Sequence, residues 1–210
     1  MLLAIDTSAG TSVAVVDRDA GVIAERSSAD TRGHAEIIGT LVAEVLAESG
    51  VPVTALSGVA VGMGPGPFTG LRVGIAAAFA LAFGAGKPTV TVVSHDAIAF
   101  GLYAAGETRQ TLIVTDARRR EVYWSAYAGV DAAGLPVRVA GPSLCKPDEL
   151  ADEVQDFDRY TRVDTESVSA ASVGLLAEGL YANKRSFAGS EALYLRSPDA
   201  KPGGAPKRVS

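Results

Sequence analysis

The sequence predicts an α/β fold of two lobes, each opening on three consecutive strands and continuing through helix and strand units. Three observations predict it. Short apolar, β-branched runs at 2–6, 12–17 and 21–28 are joined by turns too short for a crossover, so they pair as an antiparallel meander. From His34 the apolar spacing changes to that of a helix, and strands and helices then alternate. The same opening order returns at Leu112, as a repeat of architecture and not of sequence.

Taken in order, the first run ends in Asp6-Thr7-Ser8 and turns at Ala9-Gly10-Thr11. The turn Asp19-Ala20-Gly21 leads into the third strand. Helix 34–49 carries Ile37, Ile38, Leu41, Val42, Val45 and Leu46 on two adjacent rows, and Gly50 closes it. A strand over Ser57–Met63 runs into a glycine-proline loop and a small-residue helix, Thr69–Gly84. Pro88 precedes a strand at Thr89–Val93, and Ser94 is placed to cap the next helix. In the second half, strands are expected at Leu112–Asp116, Glu121–Tyr127, Leu135–Ala140 and Arg159–Val163, with helices at Pro147–Val154 and Ala170–Ala182. This divides the chain into a lobe at 1–105, a lobe at 106–196 and a basic tail at 197–210. The tail holds Pro198, Pro202, Pro206, Lys201, Lys207 and Arg208 and is expected to be extended.

Composition excludes several classes. Hydrophobic residues make up 48% and charged residues 20% of 210, enough for a core and against disorder. A net charge of −5 argues against nucleic-acid binding by overall phosphate neutralisation, though a local basic patch remains open. The single cysteine, Cys145, permits neither an intrachain disulfide nor a multi-cysteine zinc site. The uncharged run of the small-residue helix, between Arg72 and Lys87, is 14 residues, short of the roughly 20 of a membrane span. The expectation is a cytoplasmic protein without a membrane segment, metal or cofactor.

Few residues carry a chemical signal. Asp6-Thr7-Ser8 sits at a strand end, where a carboxylate can hold a hydrated metal while loop amides face phosphate; the alternative is a turn closed by local hydrogen bonds. The loop Gly62-Met63-Gly64-Pro65-Gly66-Pro67-Phe68-Thr69-Gly70 precedes a helix but lacks the Lys-Ser/Thr ending of a P-loop, and its prolines delete amide donors. Gly70, Gly74, Ala78 and Ala82 recur every four residues as a smooth ridge, which favours close packing of a second helix over anion binding. Arg118, Arg119 and Arg120 follow Asp116 in a tight turn that fits either phosphate contact or a solvated hairpin tip. His34 and His95 are expected as caps or surface residues, and Cys145 as buried or inert.

Together these segments resemble the TsaB (YeaZ) family of tRNA threonylcarbamoyladenosine biosynthesis subunits. The resemblance rests on Ala4-Ile5-Asp6-Thr7, the loop Gly64-Pro65-Gly66-Pro67-Phe68-Thr69-Gly70-Leu71-Arg72, Asp116-Ala117-Arg118 with Glu121-Val122-Tyr123-Trp124, and Tyr194-Leu195-Arg196. It covers nearly the whole chain in the same order. It implies the actin/Hsp70/sugar-kinase (ASKHA) fold and a non-catalytic subunit without a cofactor. The implied partners are the catalytic paralogue TsaD, the small ATPase TsaE and a second copy of the chain, with tRNA met only through the complex. Asp6 and Asp116 would then be remnants of two phosphate hairpins. The helix at 34–49 offers only His34 where the metal-using paralogue has a histidine pair. No glycine-rich adenosine loop follows Gly174 and Gly179. One departure lies at 155–165, where the family's strand and glycine-containing turn are replaced by Asp156-Phe157-Asp158-Arg159-Tyr160.

The expected interface joins the two helices of the first lobe through Ile37, Ile38, Leu41, Val42, Val45, Gly70, Gly74 and Ala78, whose apolar surface exceeds one core face. The competing class is a standalone actin-like nucleotide hydrolase or a peptidase. It lacks both an adenosine loop and a visible nucleophile–base pair.

Overall fold

The computed structural model describes residues 1–29 and 33–196. The first sheet has the order β3-β2-β1-β4-β5, formed by β1 (Leu2–Asp6), β2 (Thr11–Asp17), β3 (Gly21–Ser28), β4 (Gly58–Gly62) and β5 (Thr89–Val92). β1 pairs antiparallel with β2 and parallel with β4; β2–β3 is antiparallel and β4–β5 parallel. Hairpin-length turns at 7–10 and 18–20 force the antiparallel pairs, while α1 (His34–Ser49) and α2 (Phe68–Ala85) supply the crossovers for the parallel ones.

The second sheet repeats this plan in shortened form. Its order is β8-β7-β6-β9, from β6 (Thr111–Asp116), β7 (Val122–Val130), β8 (Pro136–Cys145) and β9 (Thr161–Thr165). β6–β7 and β7–β8 are antiparallel and β6–β9 is parallel. β8 is longer than the expected Leu135–Ala140. The expected helix at 147–154 contracts to a single turn, α4 (Leu150–Glu153). At the short 155–165 connection, Asp156 takes the left-handed conformation (φ 56°). A 3-10 turn at Phe157–Arg159 then leads straight into β9.

Burial on both faces explains the nearly continuous apolar run of β1. Leu3, Ile5, Val13, Val15, Val59 and Val61 pack under α1 and α2. Leu2, Ala4, Ala14, Val16 and Ala60 pack on the opposite face with Val173, Leu176 and Ala177 of α5 (Ala170–Ala182). α3 (Ser94–Ala104) faces the second sheet, where Ala99 meets Ile113 and Tyr127. Each sheet is thus covered by a helix from the other half of the sequence. The cut at residue 105 separates the two sheets but does not separate the cores. The α5 start is held by the first sheet: Glu25 Oε1 accepts from Ser169 Oγ (2.8 Å) and Ala171 N (3.1 Å), and Ser12 Oγ accepts from Ala170 N (3.0 Å).

Gly50 (φ 64°) closes α1 as expected, and Gly86 (φ 63°) closes α2. Ser94 is not the cap of α3; Val93 holds that position, and Ser94 is the first helical residue with its hydroxyl turned to Asp6. α2 is long and apolar enough to cross a membrane by length and composition alone, but Gly70, Leu71, Gly74, Ala78 and Ala82 are packed in the protein's core. The expectation for 197–210 lies outside the described residues.

The helix glycines divide by what surrounds them. A Cβ on Gly74 would overlap Thr7, whereas one on Gly39 of α1 meets nothing within 4 Å. Gly74→Ala should therefore lower stability by about 1–3 kcal/mol through overpacking. Gly39→Ala should raise it by about 1 kcal/mol through helix propensity. Urea titrations of the two variants beside the parent chain check both signs.

Candidate functional site

The end of β1, the end of β4 and the starts of α2 and α3 converge on one carboxylate. Asp6 is 1% exposed. Its Oδ1 accepts from Ser8 N (2.8 Å) and Ser8 Oγ (2.6 Å), and its Oδ2 accepts from Ser94 Oγ (2.6 Å). Ser94 Oγ in turn accepts from Gly64 N at 3.1 Å, and Ser94 N donates to Gly64 O at 2.8 Å. Burial pushes the Asp6 carboxyl upward, and the bonds from Ser8 and Ser94 oppose that shift.

The glycine-proline loop wraps this carboxylate. A Cβ on Gly62 would overlap Asp6 Oδ2, and one on Gly66 would lie 2.8 Å from Ser8 Cα. Tyr123 donates its hydroxyl to Gly66 O (3.2 Å), pinning the loop to the second sheet. The glycine ridge of α2 does pack closely, against the turn after β1 at Thr7 and against α1 at His34. Gly74 abuts Thr7, Gly70 abuts Thr7 O and the His34 ring, and Thr7 Oγ1 donates to Gly70 O at 2.7 Å.

Between the lobes lies a cleft of 540 Å³ whose walls include Ser8, Gly10, His34, Thr69, Asp116 and Glu166. Asp6 is not one of its lining residues, whereas Asp116 is exposed at its mouth. Asp116 Oδ1 accepts from Arg118 N (2.8 Å), and the two side chains form an ion pair at 3.4 Å. Of the two strand-end carboxylates, Asp6 is therefore consumed by the fold and Asp116 faces solvent.

Both histidines are buried, which corrects the expectation of caps or surface residues. His34 Nδ1 lies 2.6 Å from Thr11 Oγ1. His95 is 1% exposed, with Nδ1 2.8 Å from Ser125 Oγ and Nε2 2.9 Å from Thr115 Oγ1. A neutral ring can donate from one nitrogen and accept at the other, so it suits two hydroxyls; burial, reinforced by Arg138, lowers its pKa to about 3. Cys145 is buried, and burial raises its thiol pKa. Among the described residues no three His, Cys, Asp or Glu side chains converge as metal ligands.

Most of the expected interface residues face inward. Ile38, Leu41, Val45 and Ala78 are buried in the first sheet's core, Gly70 and Gly74 against Thr7, and Ile37 and Val42 are half-buried beside them. Both apolar rows of α1 are needed to cover the sheet and α2, so neither is spare. The outer row of α2 is bare and apolar: Phe79 is 41% and Phe83 90% exposed. Beside it a groove of 680 Å³ is lined by Arg72, Ile75 and Phe79 of α2 and by Glu191 and Tyr194 of the returning C-terminal segment. That segment is tied down by Leu193 N to Met63 O (2.8 Å) and by Tyr194 against Phe68 at 4.6 Å. The Arg72 guanidinium stacks on Phe68 at 3.7 Å.

Strand order, paired lobes and a strand-end carboxylate in each define a two-lobed actin-like protein, here with the first carboxylate sealed in the core. Comparison narrows the class. The family model for TsaD, tRNA N6-adenosine threonylcarbamoyltransferase, matches residues 9–197. The Escherichia coli tRNA threonylcarbamoyladenosine biosynthesis protein TsaB is 35% identical over 74% of this chain and 67% of its own length. An uncharacterised Mycobacterium tuberculosis protein is 40% identical over 96% of this chain and 94% of its own. YeaZ from Pseudomonas aeruginosa superposes with a TM-score of 0.72 at 25% identity, covering 87% of this chain and 92% of that one. A second P. aeruginosa structure, described as similar to peptidase YeaZ, gives 0.77 at 25% identity over 93% and 99%. The chain belongs to the TsaB (YeaZ) family.

The sequence missed the long-range partners of Thr7, Glu25 and Ser94, which lie 63, 144 and 88 positions away. No local pattern marks such contacts.

Two outcomes follow from these buried groups. Asp6→Ala strands the donors of Ser8 and Ser94 and should cost about 2–5 kcal/mol, read by urea titration. Because the His95 pKa is lowered, the unfolded chain takes up its imidazole proton below about pH 6.5 while the folded chain does not. That contribution to stability is complete above about pH 7 and falls by about 1.4 kcal/mol per pH unit from about pH 6 toward 3. Relative to the parent, His95→Gln should flatten the melting temperature against pH between 6.5 and 4.5; parallel profiles would refute the assignment.

Proposed function

We propose that this chain is a non-catalytic subunit of a tRNA threonylcarbamoyladenosine biosynthesis complex. It pairs through the outer face of α2 with a TsaD-like catalytic paralogue and supports transfer of threonylcarbamoyl to the adenosine beside the anticodon. The observation that carries this reading is the exposed Phe79–Phe83 row flanked by an apolar groove, on a helix whose other face is locked to the Asp6 hairpin. Such a row on a rigid helix is suited to be the centre of a protein interface. A second copy of the chain would compete for the same row. A TsaE-like ATPase would join the assembled pair, tRNA would be engaged through the complex, and the setting is the cytoplasm.

The standalone hydrolase or peptidase reading has less support. The Ser125–His95 contact of 2.8 Å resembles a nucleophile–base pair, but both residues are at most 1% exposed in the core and no substrate reaches them. The Asp6 carboxylate has its lone pairs directed at Ser8 and Ser94, away from the cleft.

Light scattering of the purified chain with its TsaD-like paralogue tests the reading: a stable mixed complex is expected. Phe83→Glu should weaken that complex by about 2–4 kcal/mol, as for a central anchor, with an unchanged melting temperature because Phe83 is 90% exposed. Gly74→Arg and Val42→Glu are unsuitable probes of this surface, since both sites pack inside the protein. A mixed complex unaffected by Phe83→Glu would remove the α2 face from consideration.

A further inference from the structure

Arg72 lies on the same stripe of α2 as Ile75, Ala76, Phe79 and Phe83, which follow it at the spacing of one helix face. The bare row therefore begins with a cation and ends, near the helix C-terminus, with the exposed ring of Phe83.

The cation is held in place by stacking. Its guanidinium carbon stands 3.7 Å from the Phe68 ring centroid and 5.9 Å from that of Tyr194. Tyr194 arrives on segment 186–196, which has no helix or strand of its own. Ala188 N donates to Thr91 O at 3.0 Å, Thr91 Oγ1 donates to Ala188 O at 2.6 Å, and Arg196 Nη2 donates to Arg118 O at 3.2 Å, so this segment is anchored on both sides of Tyr194. Stacking covers a face of the guanidinium and leaves the donors at its edge open. Those donors are not spent within the chain. Among the described residues Arg72 has ring contacts but no ion pair and no side-chain hydrogen bond. Glu191 lines the same groove and forms no ion pair with it. What the groove offers is a fixed fork, not a surplus of charge.

We propose that Arg72 sets the orientation of the subunit docked on α2: its guanidinium edge takes a carboxylate side chain of that subunit, while the Phe79–Phe83 row takes an apolar segment of it. This rests on the pairing proposed above. An apolar row alone lets a docked segment run in either direction or slip along it. A planar fork at one end accepts a carboxylate bidentately and removes both freedoms. Glu191 repels a carboxylate placed against it, which confines the acid to the Arg72 fork. Because stacking orders the side chain before docking, little rotamer entropy is lost on pairing.

The test is the affinity of the full-length chain for its TsaD-like paralogue, measured by biolayer interferometry across a salt series. Arg72→Met removes the charge and should weaken pairing about thirtyfold at low salt and flatten its salt dependence. Arg72→Lys keeps the charge without the fork and should fall between Arg72→Met and the parent. Melting temperatures should stay near the parent's, since Arg72 is exposed. Arg72→Glu should pair more weakly than Arg72→Met. One Asp or Glu of the paralogue, changed to Lys, should restore pairing with Arg72→Glu while weakening it with the parent chain. Parent-like affinity in Arg72→Met and Arg72→Glu, with Phe83→Glu still disruptive, would overturn this inference and leave the pairing face standing. A loss in Arg72→Glu that no such change in the paralogue reverses would overturn it as well, leaving Arg72 only the Tyr194 segment to hold. Failure of the two parent chains to form a complex would overturn both readings.

Discussion

The structure depends on one buried carboxylate. Asp6 ends the central strand of the first sheet, and its oxygens hold three donors from Ser8 and Ser94 within 2.8 Å. An ionised carboxylate without such partners would be far too costly to bury. With them it fixes the β1–β2 hairpin and the start of α3, and through Ser94 it fixes the β4–α2 loop. The glycines at 62, 66, 70 and 74 are consequences of this closure. Each stands where a side chain would collide with Asp6, Ser8 or Thr7.

The same closure decides the chemistry. A strand-end aspartate in a two-lobed actin-like fold can serve a metal–phosphate ligand only if its oxygens face the interlobe cleft. Here they are buried, and among the described residues the carboxylates lining the cleft are those of Asp116 and Glu166. A helix locked on its inner face is also a rigid platform on its outer face. The Phe79–Phe83 row is therefore presented without the entropy loss of ordering a flexible segment, which favours docking.

The two halves exchange helices. α3 covers the second sheet and α5 the first, and the Glu25 clasp on the α5 start ties the exchange together. Gly174 of α5 sits where a Cβ would press on Val16 and Ala4, so this glycine serves helix–sheet packing. With shared cores, the lobes are expected to unfold together.

Much of the fold was legible from local chemistry. The meander, the switch to helical spacing at His34, the Gly50 cap and the repeat of the plan at Leu112 all follow from residue periodicity and turn residues, which act within a few positions. The candidate site was less legible. The α2 ridge was recognised as a surface for a second helix, and α1 does meet it at His34, but its tightest contact, Gly74 on Thr7, was not read, because periodicity shows that a face is smooth without showing all that lies on it. The rows of α1 were read as surplus apolar surface because their burial depends on α2 and the sheet beneath them. The buried histidines were misplaced for the same reason: Thr11, Ser125 and Thr115 reach them only in the folded chain. The sequence by itself thus determined the elements, their order and the family, since these rest on short-range patterns and contiguous motifs. Only the tertiary structure decided which carboxylate is sealed, which helix face is bare and where Arg196 meets the arginine turn, since each depends on contacts between residues tens of positions apart.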